Sequence, residues 1–184
     1  RKTIIFSTFS DTVEDLHKKI CEVINDADKN DPLSDYKDRI APAIFGSTQG
    51  VEQERRARLI SNFAPKTAGD KNSKDIYDLI FTTEVLAEGV NLQQAGRMIN
   101  YDLPWNPMRI VQRHGRIDRI GSIHNRIHLD CFFPSDHLDK FLALERRLHD
   151  KLTRADAAVG VGSVIPGFHG SEGKSFYDTE EQIR

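Results

Sequence analysis

The sequence predicts an α/β domain in which a parallel sheet is flanked by helices on both faces. Two observations lead there. Short apolar runs bounded by turn residues alternate with stretches of helical period, the pattern of strands joined by helical crossovers. The chain's 184 residues, 38% of them hydrophobic, suffice for one soluble domain with a buried core and leave room for an appendage.

Residues 3–6, TIIF, are a β-branched run and read as the first strand. Across 11–25, Val13, Leu16, Ile20 and Ile24 recur at helical spacing, with Ser10 or Asp11 available as the cap. The polar stretch 26–39, DADKNDPLSDYKDR, reads as a mobile excursion, and 41–45 as a second strand. The turn Gly46-Ser47-Thr48-Gln49-Gly50 leads into a charged helix whose apolar positions are Val51, Leu59, Ile60 and Phe63. After a polar loop at 65–75 come strands at 76–82 and 97–101, a helix at 107–120 and a strand at 126–133. A last amphipathic helix is expected at about 136–151, with Leu138, Phe141, Leu142, Leu148 and Leu152 able to face a sheet. The domain is therefore expected to span 1–152, and the Gly-rich, then acidic, stretch 153–184 to be an extension or linker.

No apolar run approaches the ~18 residues of a membrane span, and the opening RKTIIFSTFSDT lacks the apolar stretch of a signal peptide. A cytoplasmic protein with no membrane partner is the expectation. Cys21 and Cys131 stand far apart and in no CxxC pair, which argues against a disulfide framework or a cysteine zinc site. His124, His128 and Asp130 could share one strand face, but the spacing places no further ligand, so no metal site is expected.

The net charge of −2 conceals an asymmetry. Between positions 109 and 126 stand Arg109, Arg113, Arg116, Arg119 and Arg126 against the single acid Asp118. Taking about 100° per residue from Ile110, a helix over 107–120 puts Ile117 and Ile120 near the core side, at about −20° and −80°. Gln112, Arg116 and Arg119 then fall at about 180° to 240°, an amide and two guanidiniums on the opposite face. Such planar groups side by side suit a phosphate or carboxylate ligand. Gly115 among them costs about 1 kcal/mol of helix stability relative to Ala, so it wants a reason, such as room for a ligand. An anion site and a plain basic surface both remain open on these grounds. The segment 82–92, TTEVLAEGVNL, directly follows a β-rich run, where hydroxyls and a glycine can present donors to a phosphate; taken alone it reads better as a strand end, a short helix and a turn.

Five blocks in order carry a more specific resemblance: IIFSTF (4–9), FGSTQGVEQERRARLISNF (45–63), TTEVLAEGVNL (82–92), YDLPWNP (101–107) and QRHGRIDRIG (112–121). Together they resemble the second, C-terminal RecA-like lobe of superfamily-two helicases and translocases. DLPWNP and the DRIG ending are most similar to the Swi/Snf-type branch, which includes the bacterial RNA-polymerase-recycling ATPases. The resemblance covers residues 3 to about 133 and implies a RecA-like, P-loop-NTPase type of sheet.

The resemblance also implies roles. The family's Q-x-x-G-R-x-x-R motif falls on Gln112, Gly115, Arg116 and Arg119. Arg119 matches the arginine finger that reaches a γ-phosphate across a cleft, with Arg116 beside it. A positioned guanidinium stabilises charge on the equatorial phosphoryl oxygens. Arg113 is not carried over with them, because the Swi/Snf branch often has no basic residue there. Gly89 and Asn91 are placed near the nucleotide, Asn91 standing where many relatives have Asp. Thr83, Ser7, Gly46 and Ser47 match positions that touch the nucleic-acid backbone through hydroxyls and main-chain N–H groups, contacts that bind without reading sequence. Trp105 is expected to pack.

The first lobe of such motors supplies a Walker A loop and an acidic Walker B pair, which hold ATP and Mg²⁺. Neither pattern occurs here: Gly173-Lys174-Ser175 has Phe168, not Gly, five positions before Gly173. The implied function is half of an ATP-dependent motor, working with an N-terminal lobe of the same polypeptide on nucleic acid, with the Swi/Snf-like blocks pointing by analogy to duplex DNA. The alternative is a RecA-like lobe kept as a non-catalytic nucleic-acid or protein binding module. Alone, the fragment is expected to hydrolyse negligible ATP under either reading.

Overall fold

The computed structural model describes residues 2–44, 46, 50–69, 72–86, 90–106, 108–120, 122–133 and 150–151. Four strands, β1 (Thr3–Phe6), β2 (Leu79–Thr82), β3 (Arg97–Asn100) and β4 (His128–Cys131), run parallel in the order β2-β1-β3-β4. Ile4 is in register with Ile80 and Met98, and Ile5 with Phe81 and Ile99. Because successive strand residues point to opposite faces, these rows sort into two layers. Ile4, Phe6, Ile80 and Met98 meet Leu59, Ile60 and Phe63 of helix α2 (Gly50–Phe63), joined by Leu86, Leu92 and Ile117. Ile5, Leu79 and Phe81 meet Val13 and Ile24 of helix α1 (Ser10–Asp26). The sheet is thus covered on both faces, as the alternation of runs predicts.

Four expectations need correction. The 41–45 strand is an irregular edge: Ile40 and Ile44 make isolated parallel bridges to Leu79 and Thr82, so four steps oppose three and one residue is extra. Pro42, with no N–H to give, lies between the donors of Ala41 and Ile44, which bond Leu79 O at 2.8 Å and Phe81 O at 2.9 Å. The stretch 26–39, read as mobile, holds a 3₁₀ helix at Pro32–Tyr36, capped by the Asp31 carboxylate, which accepts from Leu33 N at 2.8 Å. Tyr36 packs on the α1 side of the core and Lys37 Nζ donates to Ala27 O at 2.9 Å, anchoring the excursion from both ends. Phe9, not Ser10 or Asp11, occupies the N-cap of α1, with no side-chain cap bond.

The fourth correction concerns the arginine segment. Helix α3 spans Met108–His114 and stops there, and the chain continues through tight turns in which Ile117 N and Asp118 N both bond His114 O, at 3.0 and 2.9 Å. Gly115 sits at the break, where its poor helix propensity favours termination, and a Cβ there would meet nothing nearer than Val111 O at 3.4 Å. Helical spacing therefore fails beyond it: Ile117 is fully buried, but Ile120 is 100% exposed. Of the expected last helix, Asp150 and Lys151 are helical, and its other positions, like 153–184, lie outside the described residues.

A charged staple closes the amino edge of the sheet. Lys2 Nζ reaches Asp75 at 2.7 Å, Tyr77 O at 2.6 Å and Asp78 at 3.3 Å, lying 5.2 Å from the Phe63 ring centre, while Arg39 bonds both Asp75 and Asp78. Burial alone would raise the Asp78 carboxyl, but the Arg39 hydrogen bond and the charge of Lys2 hold it below the usual carboxylate range.

The break after His114 is testable by urea denaturation. Ile117→Ala should cost about 2–5 kcal/mol by leaving a cavity, and Ile120→Ala less than about 0.5 kcal/mol. Equal losses at the two positions would mean that the helix runs on through residue 120.

Candidate functional site

The turn that carries the arginines is strapped to the segment before β3. Leu92 N donates to Arg116 O at 3.2 Å, Gln93 Nε2 to Ile120 O at 2.9 Å, Ser122 Oγ to Gln93 O at 3.3 Å, and His124 Nε2 to Gln94 O at 2.9 Å. Gln94 Oε1 also accepts from Lys66 N at 2.7 Å. Both glutamines are buried, and buried amides of this kind persist when bonded, as each of these is. Their only signal in the sequence is a polar pair between the apolar Leu92 and Ala95. On this strap the exposed Arg119 donates through Nη1 to the exposed Asn91 Oδ1 at 3.1 Å. Arg116 is half-buried and Gln112 exposed on α3. Arg116, Arg119 and Asn91 are thus gathered by strap and turn rather than by one helix face. Gly89 lies outside the described residues.

The other predicted residues lie along the carboxyl edge of the sheet. Ser7 directly follows β1, Thr83 directly follows β2, and Gly46 follows the edge segment beside β2, so topology ranks them as Gly46, Thr83, Ser7. Gly46 is exposed with φ of 91°, a left-handed conformation that favours glycine for its backbone and not for lack of room, since a Cβ would touch nothing within 4 Å. Thr83 is half-buried, its N–H bonded to Ile44 O at 3.3 Å. Ser7 is fully buried and its hydroxyl donates to Asp102. The same carboxylate accepts from Thr8 N at 2.9 Å and Thr8 Oγ1 at 2.7 Å, so Asp102 of the DLPWNP run shapes the turn after β1. Ser47 lies outside the described residues. Trp105 is 52% exposed, more open than a packing role requires, and its carbonyl accepts from Lys151 Nζ at 3.0 Å.

Between strap and edge sits a side chain that the sequence reading passed over. Arg113 is fully buried. Its Nε donates to Glu84 Oε1 at 2.9 Å, its Nη2 bonds the same oxygen, its Nη1 donates to Asn100 Oδ1 at 3.0 Å, and its Nη2 reaches Thr8 Oγ1 at 3.5 Å. The guanidinium carbon lies 5.2 Å from the Phe6 ring centre, a cation–π distance. With its Oδ1 turned to Arg113, Asn100 presents Nδ2 to His114 Nε2 at 3.2 Å and to Cys131 Sγ at 3.5 Å. His114 must be neutral to accept there. Burial, and then the neighbouring Arg113 charge, lower it to about 4. Burial pushes the Cys131 thiol up to about 11, so it is no nucleophile. His124 and Asp130 are engaged elsewhere, by Gln94 O at 2.9 Å and Arg97 at 2.7 Å. Among the described residues no three His, Cys, Asp or Glu side chains converge as a metal site would need.

Residues 1–121 match the family model "Helicase conserved C-terminal domain". The chain belongs to that helicase C-terminal family. It is 54% identical over 52 residues to the uncharacterized ATP-dependent helicase YqhH of Bacillus subtilis (strain 168), a match covering 26% of the chain. To the RNA polymerase-associated protein RapA of Erwinia tasmaniensis it is 34% identical over 94 residues, half of the chain. Each match spans 9% of the relative's length. Among solved structures, the C-terminal part of the Fun30 ATPase domain is similar with a TM-score of 0.57 at 19% identity, over 80% of this chain and 39% of that one. The fold is RecA-like, and Arg116 and Arg119 lie on the strapped turn after α3.

Neutral His114 makes the domain acid-sensitive. With its folded pKa near 4 and an unfolded value of about 6.5, the unfolded chain takes up the proton first as pH falls. The stability is present above about pH 6.5 and is lost progressively toward pH 4, by up to about 3 kcal/mol. His114→Gln keeps an acceptor for Asn100 but cannot titrate. Denaturation from pH 7.5 to 4.5 should therefore cost the natural chain more stability than the variant; parallel losses would show that His114 does not titrate in this window.

Proposed function

We propose that residues 1–152 are the C-terminal lobe of an ATP-dependent DNA helicase or translocase, followed by a linker at 153–184. In this reading ATP and Mg²⁺ are held mainly by an N-terminal lobe of the same polypeptide, and Arg119, with Arg116 beside it, meets the γ-phosphate across the cleft. Gln112, Asn91 and Gly89 complete the nucleotide side. The donor set fits, since guanidinium forks and amides match phosphate oxygens and the exposed Asn91 and Arg119 are open to another lobe. When bound, Mg²⁺ would neutralise charge on the phosphates; this chain's part is to bring and orient guanidiniums where charge develops. The carboxyl edge, with Gly46, Ser47 and Thr83, faces the nucleic-acid backbone, and Ser7 shapes that edge through Asp102. Duplex DNA is the proposed track, and the parent protein is proposed to be cytoplasmic or associated with the nucleoid.

The observation that carries this reading is the contact between Arg119 and Asn91. It holds an exposed guanidinium against the segment that the family places at the nucleotide, with a neutral amide as partner. The amide carries no charge of its own, so the pair keeps the positive charge of the guanidinium.

The test is DNA-stimulated ATP hydrolysis by the full-length protein with Arg119→Ala. Turnover should fall by about 10³ or more with nucleotide affinity kept within a few-fold. Unchanged turnover would remove the finger assignment; absence of turnover in the natural full-length protein would favour the non-catalytic binding module.

A further inference from the structure

Arg113 spends more on its position than stability requires. A fully buried guanidinium paired with a carboxylate is commonly no more stabilising than apolar side chains of similar volume, because both ions lose hydration. The core around it is apolar enough to take such a substitute: Phe6 lies under the guanidinium and Ile110 and Ile117 are fully buried on the same segment. What an apolar residue would not do is span three strand ends at once. Arg113 holds Thr8 after β1, Glu84 after β2 and Asn100 at the end of β3.

The two ends of the 84–91 stretch are both held by the arginine segment. Glu84, adjacent to Thr83, is bound by Arg113, and Asn91 is bound by Arg119, six residues further on. Three residues separate Arg113 from Arg116, whose carbonyl is tied to Leu92 N at 3.2 Å. The carboxyl-edge turns at Ser7–Thr8 and Thr83–Glu84 are thus joined to Arg116 and Arg119 by a short path, the Arg113 fork, the last turn of α3 and the tight turns after it. Glu84 is the accessible member, with its side chain 25% exposed beside Thr83, so it lies where an approaching backbone phosphate is felt first.

We infer that Arg113 and Glu84 are a positioning pair that couples contact at the carboxyl edge to the placement of Arg116 and Arg119. The inference rests on the motor reading above and adds to it the residues that transmit nucleic-acid contact to hydrolysis. Neither touches the nucleotide. Lys at 113 keeps the charge but carries its donors on one nitrogen, without the planar fork whose three nitrogens reach Glu84, Asn100 and Thr8. Gln at 84 keeps the shape and removes the charge that fixes the fork.

The experiment compares the full-length protein with its Arg113→Lys, Glu84→Gln and double variants, measuring ATP turnover with and without a blunt DNA duplex, duplex affinity and melting temperature. Arg119→Ala is the control. The pair predicts that stimulation by the duplex drops toward onefold in both single variants and no further in the double one, while turnover without DNA and duplex affinity stay within about twofold. Preserved stimulation overturns the inference. So does a joint fall of basal turnover, affinity and melting temperature, which would mark a structural role, with the double variant separating loss of the pair from an orphaned charge. If the duplex fails to stimulate the natural protein, the motor reading itself fails and takes the inference with it; if Arg119→Ala leaves turnover intact, the finger assignment fails and with it the inference that acts through it; if Arg119→Ala abolishes turnover and the pair variants keep their stimulation, the inference alone fails.

Discussion

The buried guanidinium of Arg113 is the constraint around which the carboxyl edge of this domain is arranged. A positive charge taken out of water persists only where its donors are met, and here a carboxylate, an amide oxygen, a hydroxyl and an aromatic face meet them. Satisfying one side chain thereby brings the ends of β1, β2 and β3 to defined positions. It also decides the chemistry next to it. Asn100 is oriented by Arg113, His114 is kept neutral by burial and by that charge, and the Cys131 thiol is kept protonated.

The two edges of the sheet differ in kind. At the amino edge, Lys2 and Arg39 are shared between Asp75 and Asp78 in a compact staple. At the carboxyl edge the Arg113 guanidinium is buried while its partner Glu84 keeps a quarter of its side chain exposed, beside the half-buried Thr83 and the exposed Gly46. The arginine turn lies apart from both, over the α2 layer, strapped by Gln93 and Gln94. The short helix α3 joins the two regions, its Arg113 reaching the carboxyl edge and its last turn leading into the arginine turn.

Much of the fold was legible because burial on both sides of a parallel sheet leaves a strong trace. The runs at 3–6 and 97–101 appeared as strands nearly residue for residue, and the period of Val13, Leu16, Ile20 and Ile24 announced α1. Where the reading failed, a local rule was overruled by a contact distant in sequence. Helical spacing continued past Gly115 on paper, but the strap from 92–94 captures the chain there, so Ile117 is buried and Ile120 is not. The 26–39 stretch is polar enough to look mobile, yet Asp31, Tyr36 and Lys37 find partners that composition does not reveal. Arg113 looked like one more arginine in a basic run, because nothing in its neighbours announces that Glu84, Asn100 and Thr8 will surround it.

By itself the sequence determined the class of fold, the order of its main strands and helices and the family to which residues 1–121 belong, since these are carried by residue type and spacing along the chain. Only the tertiary structure decided which arginine is exposed and which is buried, where α3 ends, and that Asp102, Glu84 and the two glutamines shape the site. The reason is physical: hydration loss and hydrogen-bond partners are properties of neighbours in space, and for Arg113 those neighbours lie 13 to 105 residues away along the chain.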